Sequence, residues 1–287
     1  MGRILSPLRY PGGKTPMSPF VNKLIKINNI KKPIYVEPFA GGAGIAIDLL
    51  LNKKVNSIII NDYDRAIYAI WYSILYYTNE FIELILNTKI NIKEWRRQRE
   101  IYQNRQEVDL LQLGFAAFFL NRTNNSGIIT GGPIGGIDQS GKYKIDCRFN
   151  KVDLVKKISN IAKERDHISL YNLDAKIFIK KVLKRLDFEN TFIFFDPPYY
   201  KQGKNLYTNY FSHDDHKELA DLITGLDEFH WITTYDFEDA IFQMYKKSKT
   251  KTYKLQYSAR KVRREKEYLF HNNNTVVESF EKVIFET

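Results

Sequence analysis

The chain has 287 residues, with 44 Lys and Arg against 33 Asp and Glu, so its formal net charge is +11. A hydrophobic content of 44%, including 19 Phe and 19 Tyr, can fill a sizeable core and excludes wholesale disorder. A single cysteine, Cys147, excludes an internal disulfide and a multi-cysteine zinc site. No apolar run reaches the length needed to span a membrane, and we expect a cytoplasmic protein.

Strands and helices alternate in the first part of the chain. Residues 35–37 are predicted as a short apolar strand that ends in a glycine-rich turn, and residues 45–51 as the helix after it. Residues 57–61 are predicted as a second strand, followed by a helix from about 65 to 77. A strand, a crossover helix and a second strand within roughly thirty residues are typical of a parallel sheet.

The alternation stops between residues 89 and 165. This segment is predicted to contain a charged helix at 95–104, an apolar helix at 110–120 and a helix near 152–165. A glycine-rich loop runs from residue 122 to about 144, and a loop of that length without secondary structure is usually functional. The segment is therefore predicted to be an inserted, mainly helical domain.

The alternation returns after the insert. The predicted elements there are strands at 167–171, 191–195 and 231–234 and helices at 175–186 and 213–226. The sequence thus predicts an α/β fold with a mostly parallel sheet. The domain that contains this sheet would cover residues 1–88 and 166–287, on either side of the insert at 89–165.

A ligand-binding turn is predicted after the first strand, where Phe39, Ala40 and Gly41 begin the sequence FAGGAG. Glycines let the backbone turn tightly and approach a ligand closely, and the following helix presents free N–H groups at its N-terminus. Asp62 ends the next strand, where a carboxylate can accept hydrogen bonds from both hydroxyls of a ribose. The pattern indicates a nucleoside-containing cofactor, and it is not the G-x-G-x-x-G pattern of dinucleotide sites.

A second motif, Asp196-Pro197-Pro198-Tyr199, follows the apolar strand at 191–195 and therefore lies at the carboxyl edge of the predicted sheet. The two prolines fix the backbone and leave their carbonyl groups as acceptors. Asp196 adds a carboxylate, and Tyr199 supplies a flat aromatic face. Acceptors beside an aromatic wall suit a planar base that carries an amino group.

Together these motifs resemble the Dam-type (D12 class) N6-adenine DNA methyltransferases, which use S-adenosylmethionine. The matching segments, in the order of that family, are Arg9-Tyr10-Pro11-Gly12-Gly13-Lys14, Glu37-Pro38-Phe39-Ala40-Gly41-Gly42, Asn61-Asp62, Phe119-Leu120-Asn121-Arg122-Thr123, Leu173-Asp174 and Asp196-Pro197-Pro198-Tyr199. The resemblance implies a Rossmann-like methyltransferase sheet with an inserted target-recognition domain.

The resemblance also implies roles for individual residues. Tyr10 and Lys14 would contact S-adenosylmethionine, Asp62 would bind its ribose, Asp174 would lie near its adenine, and Asp196 would lie beside its methionine end. No metal ion is required. The turn after the first strand would complete the cofactor site with Glu37, Phe39, Ala40 and Gly41. Asp196, Pro197 and Tyr199 would form the catalytic pocket for a flipped adenine in double-stranded DNA.

Residues Arg122, Asn124 and Asn125, at the start of the glycine-rich loop, are predicted to contact DNA bases. Arginine can bind guanine through a bidentate pair, and asparagine can bind adenine in the same way. A structural alternative is that Asn121 and Arg122 cap the preceding helix and pair with an acid. The loop departs from the continuation typical of family members that recognise GATC, so that target is not inferred.

Three alternatives remain at this point. The substrate amino group could be N4 of cytosine or N6 of adenine in RNA, since both are exocyclic amines on an aromatic ring. The chain could also be a non-catalytic DNA-binding relative, although the intact Asp196 argues against this. A cognate restriction or defence system would be a further partner.

Most of the net positive charge, +8 of +11, is concentrated in residues 246–267, which contain ten Lys or Arg and two Glu. Such a segment can contact phosphates along a nucleic-acid backbone. It can equally be a solvated surface without a partner. The sequence leaves both interpretations open.

Overall fold

The computed structural model describes residues 4–201, 211–257 and 263–286. The chain divides into two compact units. We call the first the sheet unit, which consists of Lys14–Tyr63 and His167–Thr287. The second, the helical unit, consists of Met1–Gly13 and Asp64–Asp166.

The strands of the described residues form one seven-stranded sheet, which lies within the sheet unit. They are β1 Ile34–Glu37, β2 Ser57–Asn61, β3 Ile168–Tyr171, β4 Thr191–Phe195, β5 His230–Asp236, β6 Lys249–Tyr257 and β7 Arg263–His271. Their order is β3-β2-β1-β4-β5-β7-β6, with β1 to β5 parallel and β7 antiparallel to both of its neighbours. The predicted mostly parallel sheet is therefore confirmed.

The α-helices of the described residues, in chain order, are α1 Ser18–Ile27, α2 Gly44–Leu51, α3 Arg65–Tyr76, α4 Thr78–Asn87, α5 Ile92–Gln103, α6 Leu110–Thr123, α7 Lys151–Ala162, α8 Ala175–Lys181, α9 His213–Thr224 and α10 Asp239–Met244. Among the residues that the structure describes, none of the helices is both long and apolar enough to cross a membrane.

The core of the sheet unit is built around β4, whose five residues TFIFF are all buried. Ile193 and Phe195 belong to a cluster that also includes Phe178 of α8, Leu219 of α9 and Trp231 of β5. A strand that is apolar on both faces is typical of a parallel sheet covered by helices on each side. The order of the strands reverses between β1 and β4, and open α/β sheets bind ligands at the carboxyl ends of such strands.

The helical unit is built around α6, whose residues from Leu113 to Leu120 are all buried. It packs against α3, α4 and α5. Gly114 is required where α6 meets α3, because a Cβ atom there would collide with the carbonyl of Ala69 and the hydroxyl of Ser73. Phe81 of α4 packs edge-on against Phe118 of α6, with ring centroids 5.3 Å apart.

The boundaries between the two compact units differ from the domain boundaries that the sequence predicts. The predicted insert begins at residue 89, whereas α3 and α4 precede that residue and pack into the helical unit. The apolar side of α3 covers α6, so the two helices share one core. The N-terminal residues up to Gly13 also belong to the helical unit. A target-recognition role for 89–165 stays a prediction.

Candidate active site

The glycine-rich turn after β1 begins α2 at the carboxyl edge of the sheet. Gly41 and Ala43 have φ values of 46° and 43°, in the left-handed region. Gly44 lies so close to Thr15 that a Cβ atom would collide with the Thr15 hydroxyl. The N–H of Gly41 donates to Oδ2 of Asp62 at 2.8 Å. Asp62, the predicted ribose ligand, therefore also holds the turn in shape.

Two buried polar residues fix the strand ends around this turn. Glu37, which is 6% exposed, accepts hydrogen bonds at Oε1 from the Tyr35 hydroxyl and the Ala46 N–H, both at 3.0 Å. Asn61 donates to the carbonyls of Pro38 and Leu173, each at 3.0 Å, and so joins the ends of β1, β2 and β3. Burial raises the pKa of Glu37 to about 8, although its two hydrogen bonds oppose the shift.

Two further predicted cofactor ligands have structural partners. Asp174 caps α8, where its Oδ1 accepts from the N–H groups of Lys176 at 2.9 Å and Ile177 at 3.3 Å. Tyr10 belongs to the helical unit, and its carbonyl accepts from the N–H of Gly13 at 3.1 Å. The cofactor contacts of both residues stay predictions.

Asp196 follows β4 and lies at the carboxyl edge of the sheet. Its Oδ1 accepts a hydrogen bond of 2.7 Å from the Thr234 hydroxyl on β5 and lies 3.8 Å from Nζ of Lys14. The side chain remains 24% exposed. Burial raises the pKa of this carboxyl to about 6, while the charge of Lys14 and the bond from Thr234 act in the opposite direction. Asp196 is thus a fixed acceptor at the edge of the sheet.

The chain beyond the motif is held by Asp236, at the end of β5. Its two carboxylate oxygens accept from the backbone N–H groups of Tyr200 at 3.0 Å and Lys201 at 2.9 Å. Asp236 is not among the site residues predicted from the sequence. The available signal is its position as the last residue of an apolar strand, one residue earlier than the positions that Asp62 and Asp196 occupy after their strands.

Lys14 lies beneath the motif in a network of buried polar side chains and is only 5% exposed. Its ammonium donates to both carboxylate oxygens of Glu267, at 2.8 and 3.1 Å, and to the hydroxyl of Tyr199. The Tyr199 hydroxyl donates to Glu267 at 2.6 Å, and the Tyr253 hydroxyl donates to the other oxygen of Glu267. Neither Glu267 nor Tyr253 is among the site residues predicted from the sequence.

The apolar part of the turn is also in place. The ring of Phe39 packs edge-on against Phe211, with centroids 6.2 Å apart. The N–H of Ala40 donates to the carbonyl of Asn61 at 2.9 Å, which holds the start of the turn against β2. Phe39, Leu173 and Phe211 are partly buried and pack against the core of the sheet unit. Carboxylates and partly buried apolar side chains therefore occupy the same region.

In the helical unit, Arg122, Asn124 and Asn125 hold the glycine-rich loop through backbone carbonyls. Arg122 donates from Nε to the carbonyl of Arg148 at 2.8 Å and from a terminal nitrogen to the carbonyl of Pro7 at 3.3 Å. Its hydrogen bonds go to carbonyl groups, and the acid Asp153 interacts with it electrostatically. Asn125 donates to the carbonyls of the neighbouring loop residues 132 and 133, at 3.2 and 3.1 Å.

Asn124 is fully buried, and both ends of its side chain are engaged. Its Oδ1 accepts from Nε1 of Trp95 at 2.6 Å, and its Nδ2 donates to the carbonyls of Ile128 at 2.9 Å and Ile129 at 2.8 Å. In this arrangement Asn124 braces the loop and is turned away from the surface. A base contact by Asn124 would require the loop to open.

Comparison with known proteins identifies the family. The family described as D12 class N6 adenine-specific DNA methyltransferase matches residues 10–268. The chain belongs to this family. It is therefore an enzyme that uses S-adenosylmethionine to methylate N6 of adenine in DNA. The family, the enzyme class and the cofactor predicted from the sequence are confirmed, and the cytosine, RNA and non-catalytic alternatives are not favoured.

Individual proteins show similarity of different extent. The Type II methyltransferase M.MjaIII of Methanocaldococcus jannaschii is 27% identical over 241 residues, which cover 77% of this chain and 80% of that protein. Among solved structures, SMU.472, assigned as a methyltransferase and complexed with SAH, has a TM-score of 0.41 and 14% identity, with coverage of 96% of this chain and 57% of the other. The rRNA methyltransferase aviRa of Streptomyces viridochromogenes has a TM-score of 0.41 and 9% identity, with coverage of 96% and 92%.

The residues at the carboxyl edge of the sheet fit S-adenosylmethionine chemically. Asp62 is a suitable acceptor for ribose hydroxyls, and a carboxylate such as Asp196 stabilises a nearby sulfonium charge. Phe39 and Leu173 are apolar surfaces suited to a purine ring. Among the described residues, no cluster of three or more His, Cys, Asp or Glu side chains could hold a metal ion.

Proposed function

We propose that this D12-class methyltransferase acts on an adenine flipped out of double-stranded DNA, with Asp196 and the Pro197 carbonyl as acceptors for the adenine amino group. The observation that carries the proposal is the placement of Asp196. It is fixed by Thr234 at the carboxyl end of β4, it remains 24% exposed, and the rigid Pro197-Pro198 backbone follows it. Tyr199 provides the aromatic wall of the pocket.

These residues overcome the low nucleophilicity of the amino group. The lone pair of N6 is delocalised into the adenine ring, so the nitrogen attacks poorly when it is planar. Acceptors at Asp196 and Pro197 hold its two hydrogens and favour a pyramidal nitrogen, whose lone pair is then directed outward. Catalysis of this kind depends on positioning and on local electrostatics.

S-adenosylmethionine, when bound, supplies an electrophilic methyl group on a sulfonium sulfur. That methyl group would be the electrophile for the N6 lone pair held by Asp196 and Pro197, and the electrons of the broken S–C bond would stay on sulfur. One N6 proton must leave. Asp196 is placed to accept that proton, because burial raises the pKa of its carboxyl to about 6, and it then releases the proton to water.

Within the sheet unit, the cofactor site would consist of the turn after β1 together with Asp62, Asp174 and Lys14. The family resemblance adds Tyr10 as a cofactor ligand. Phe39, Ala40 and Gly41 would line the site, and Glu37 would support it from below by holding the start of α2. The partly exposed Asp62 is the best placed of these residues to receive hydroxyl groups, because it also shapes the turn at Gly41.

Sequence readout and biological context complete the proposal. The insert at 89–165 would read the target sequence, with Arg122 and Asn125 setting the conformation of the reading loop. A relative named as a Type II methyltransferase supports a cognate restriction endonuclease as partner. We place the enzyme in the cytoplasm, where it would meet chromosomal DNA.

Transfer of labelled methyl from S-adenosylmethionine to duplex DNA tests the proposal directly. Nucleoside analysis should yield N6-methyladenine from the parent protein and none from Asp196→Asn, which preserves size but weakens the acceptor. Label on cytosine would refute the substrate. A folded Asp196→Asn variant with near-parent kcat would refute the role of the carboxylate. Thermal melting and cofactor binding serve as controls for folding.

A further inference from the structure

Glu267 of β7 lies in a buried polar environment that a purely stabilising role does not explain. It is 0% exposed, yet it accepts hydrogen bonds from Lys14, Tyr199 and Tyr253. It pairs across the sheet with Asp236 on one side and with Tyr253 on the other. Burying two charges has a large desolvation cost, so a buried ion pair is weak evidence of a purely stabilising role.

The distances show which carboxylate holds the ammonium of Lys14. Nζ lies 2.8 Å and 3.1 Å from the oxygens of Glu267, but 3.8 Å from Oδ1 of Asp196. Glu267 therefore keeps the ammonium of Lys14 beyond hydrogen-bonding distance of Asp196. Without the negative charge of Glu267, electrostatic attraction would draw the ammonium toward Asp196.

This position of Lys14 matters for the amino group of the substrate. An ammonium in direct contact with Asp196 would use an oxygen that the substrate needs as an acceptor. The same carboxylate of Glu267 also binds the hydroxyl of Tyr199, which fixes one end of the aromatic ring in the pocket. One buried group thus controls two parts of the motif.

We propose that Glu267 is a positioning residue for methyl transfer: it holds Lys14 away from Asp196 and fixes the ring of Tyr199. The inference rests on the proposed role of Asp196. Glu267 itself does not touch substrate, because it is fully buried beneath Lys14 and Tyr199.

The charged and titratable groups around Asp196 determine the direction in which its pKa should shift when Glu267 is replaced. Lys14 lowers its pKa, whereas Glu267 raises it. Glu37 and Tyr35 on β1 and Tyr235 on β5 also interact electrostatically with Asp196. With burial as the largest cause, the carboxyl has a pKa of about 6. Activity that needs the carboxylate is then complete above that pH and falls as the pH drops through it.

The decisive variant is Glu267→Gln, assayed with saturating S-adenosylmethionine. We expect kcat to fall by about tenfold to a hundredfold, because misplacement of catalytic groups by about 1 Å has effects of that size. The KM for DNA should stay within about threefold. The acid limb of the kcat profile should move to lower pH, because loss of the Glu267 charge and approach of Lys14 both lower the pKa of Asp196. Parent-like kcat with a parent-like pH profile would overturn the inference.

Two further variants control for stability and for general charge effects. Lys14→Met combined with Glu267→Gln removes both buried charges, and the acid limb should then move to higher pH, because the cation that lowers the pKa of Asp196 is gone. Glu286→Gln removes a carboxylate that bridges Lys254 and Lys266 on the same hairpin, and it should behave like the parent. If the acid limb of the kcat profile moved in the same direction in Glu267→Gln and in the double variant, the proposed position of Lys14 would be contradicted.

A readout independent of catalysis separates this inference from the proposed function. Carbon NMR of labelled aspartate, with the Asp196 resonance assigned through Asp196→Asn, gives the pKa of Asp196 directly. It should fall in Glu267→Gln and rise in the double variant. If Asp196→Asn remains active, the proposed function fails, while an unchanged titration of Asp196 in Glu267→Gln would refute the inference on its own.

Discussion

Asp62 shapes the glycine-rich turn and is also the proposed acceptor for the ribose of the cofactor. Its Oδ2 accepts the N–H of Gly41, a residue with positive φ, at 2.8 Å. The carboxylate is placed there because Asp62 directly follows β2, and β2 pairs with β1 in parallel register. The carboxyl ends of both strands therefore lie at the same edge of the sheet. Loss of Asp62 should affect cofactor binding more than overall folding.

We predict that Asp62→Ala weakens S-adenosylmethionine binding by about 1.5–3 kcal/mol, the range for hydrogen bonds to a charged group. Isothermal titration calorimetry gives the dissociation constant. Asp64→Ala is a matched control: Asp64 caps α3 through the N–H of Ala66 at 2.8 Å, so its loss should lower the melting temperature without changing cofactor affinity. Equal affinities for the Asp62→Ala variant and the parent would leave Asp62 only a structural role.

The acidic residues of the site differ in how readily they can be predicted from the sequence. Asp62 and Asp196 can be predicted because each directly follows a short apolar strand. Glu267 cannot be found in this way, since it lies within a strongly basic segment and is 253 residues from its partner Lys14. Its position in β7 gives a weaker signal, because the residues after it, Tyr268 and Leu269, are buried as well. A glutamate that is buried among such residues requires a partner.

At the level of elements, the glycine-rich loop is organised by side chains at the C-terminal end of α6. Asn121, which is 1% exposed, donates to the carbonyls of Arg9 and Gly127, both at 2.8 Å. Gly127 has a φ of 78°, and a Cβ atom there would collide with the Arg9 carbonyl. The loop is thus built from contacts between side chains and backbone carbonyls, which compositional analysis cannot reveal.

Arg122 belongs to the same arrangement, and we predict that it braces the loop more than it distinguishes bases. Burial lowers its pKa to about 10, and the neighbouring Arg9 adds to the shift, so Arg122 is still a cation at neutral pH. Arg122→Ala should lower the stability of the helical unit by about 1.5–3 kcal/mol through lost charged hydrogen bonds. It should also weaken binding to cognate and scrambled duplexes alike. Thermal melting and competition binding measure the two effects.

Arg148→Ala is the matched control for Arg122, because the acceptor of Arg122 is the backbone carbonyl of Arg148, which that variant keeps. Its melting temperature should remain close to that of the parent. Another result for Arg122→Ala would support the hypothesis that Arg122 contacts bases. In that case the difference in affinity between cognate and scrambled DNA would become smaller, while the melting temperature and the affinity for scrambled DNA stayed unchanged.

Secondary structure was easiest to predict where apolar patterns were continuous. The five predicted strands correspond to β1 to β5, which lie in the parallel part of the sheet. The antiparallel pair β6 and β7 was not predicted, because alternating Lys and Thr in residues 249–252 resemble a solvated surface segment. The structure gives a physical reason for this composition: β6 is an edge strand, and lysines on an edge oppose pairing with other chains.

At the scale of the whole molecule, the net charge of +11 favours association with a polyanion. Four lysines are exposed at or just before the edge strand β6, namely Lys246, Lys247, Lys249 and Lys251. Residues 258–262 of the basic segment lie outside the described residues. Glu286 donates its N–H to the Thr252 carbonyl at 2.8 Å, so part of the β6 edge is already covered. Edge protection alone therefore does not account for every lysine.

We predict that Lys246, Lys249 and Lys251 contact DNA phosphates, so their joint replacement by Gln should weaken binding to all duplex sequences alike. The salt slope of log K should fall by about 0.9 for each lost phosphate contact. A matched triple at Lys181, Lys184 and Lys217, which are also exposed, changes the net charge equally. Equal slopes for both triples would assign the effect to net charge. An unchanged slope accompanied by aggregation of the β6 variant would instead show that these lysines guard the edge of the sheet.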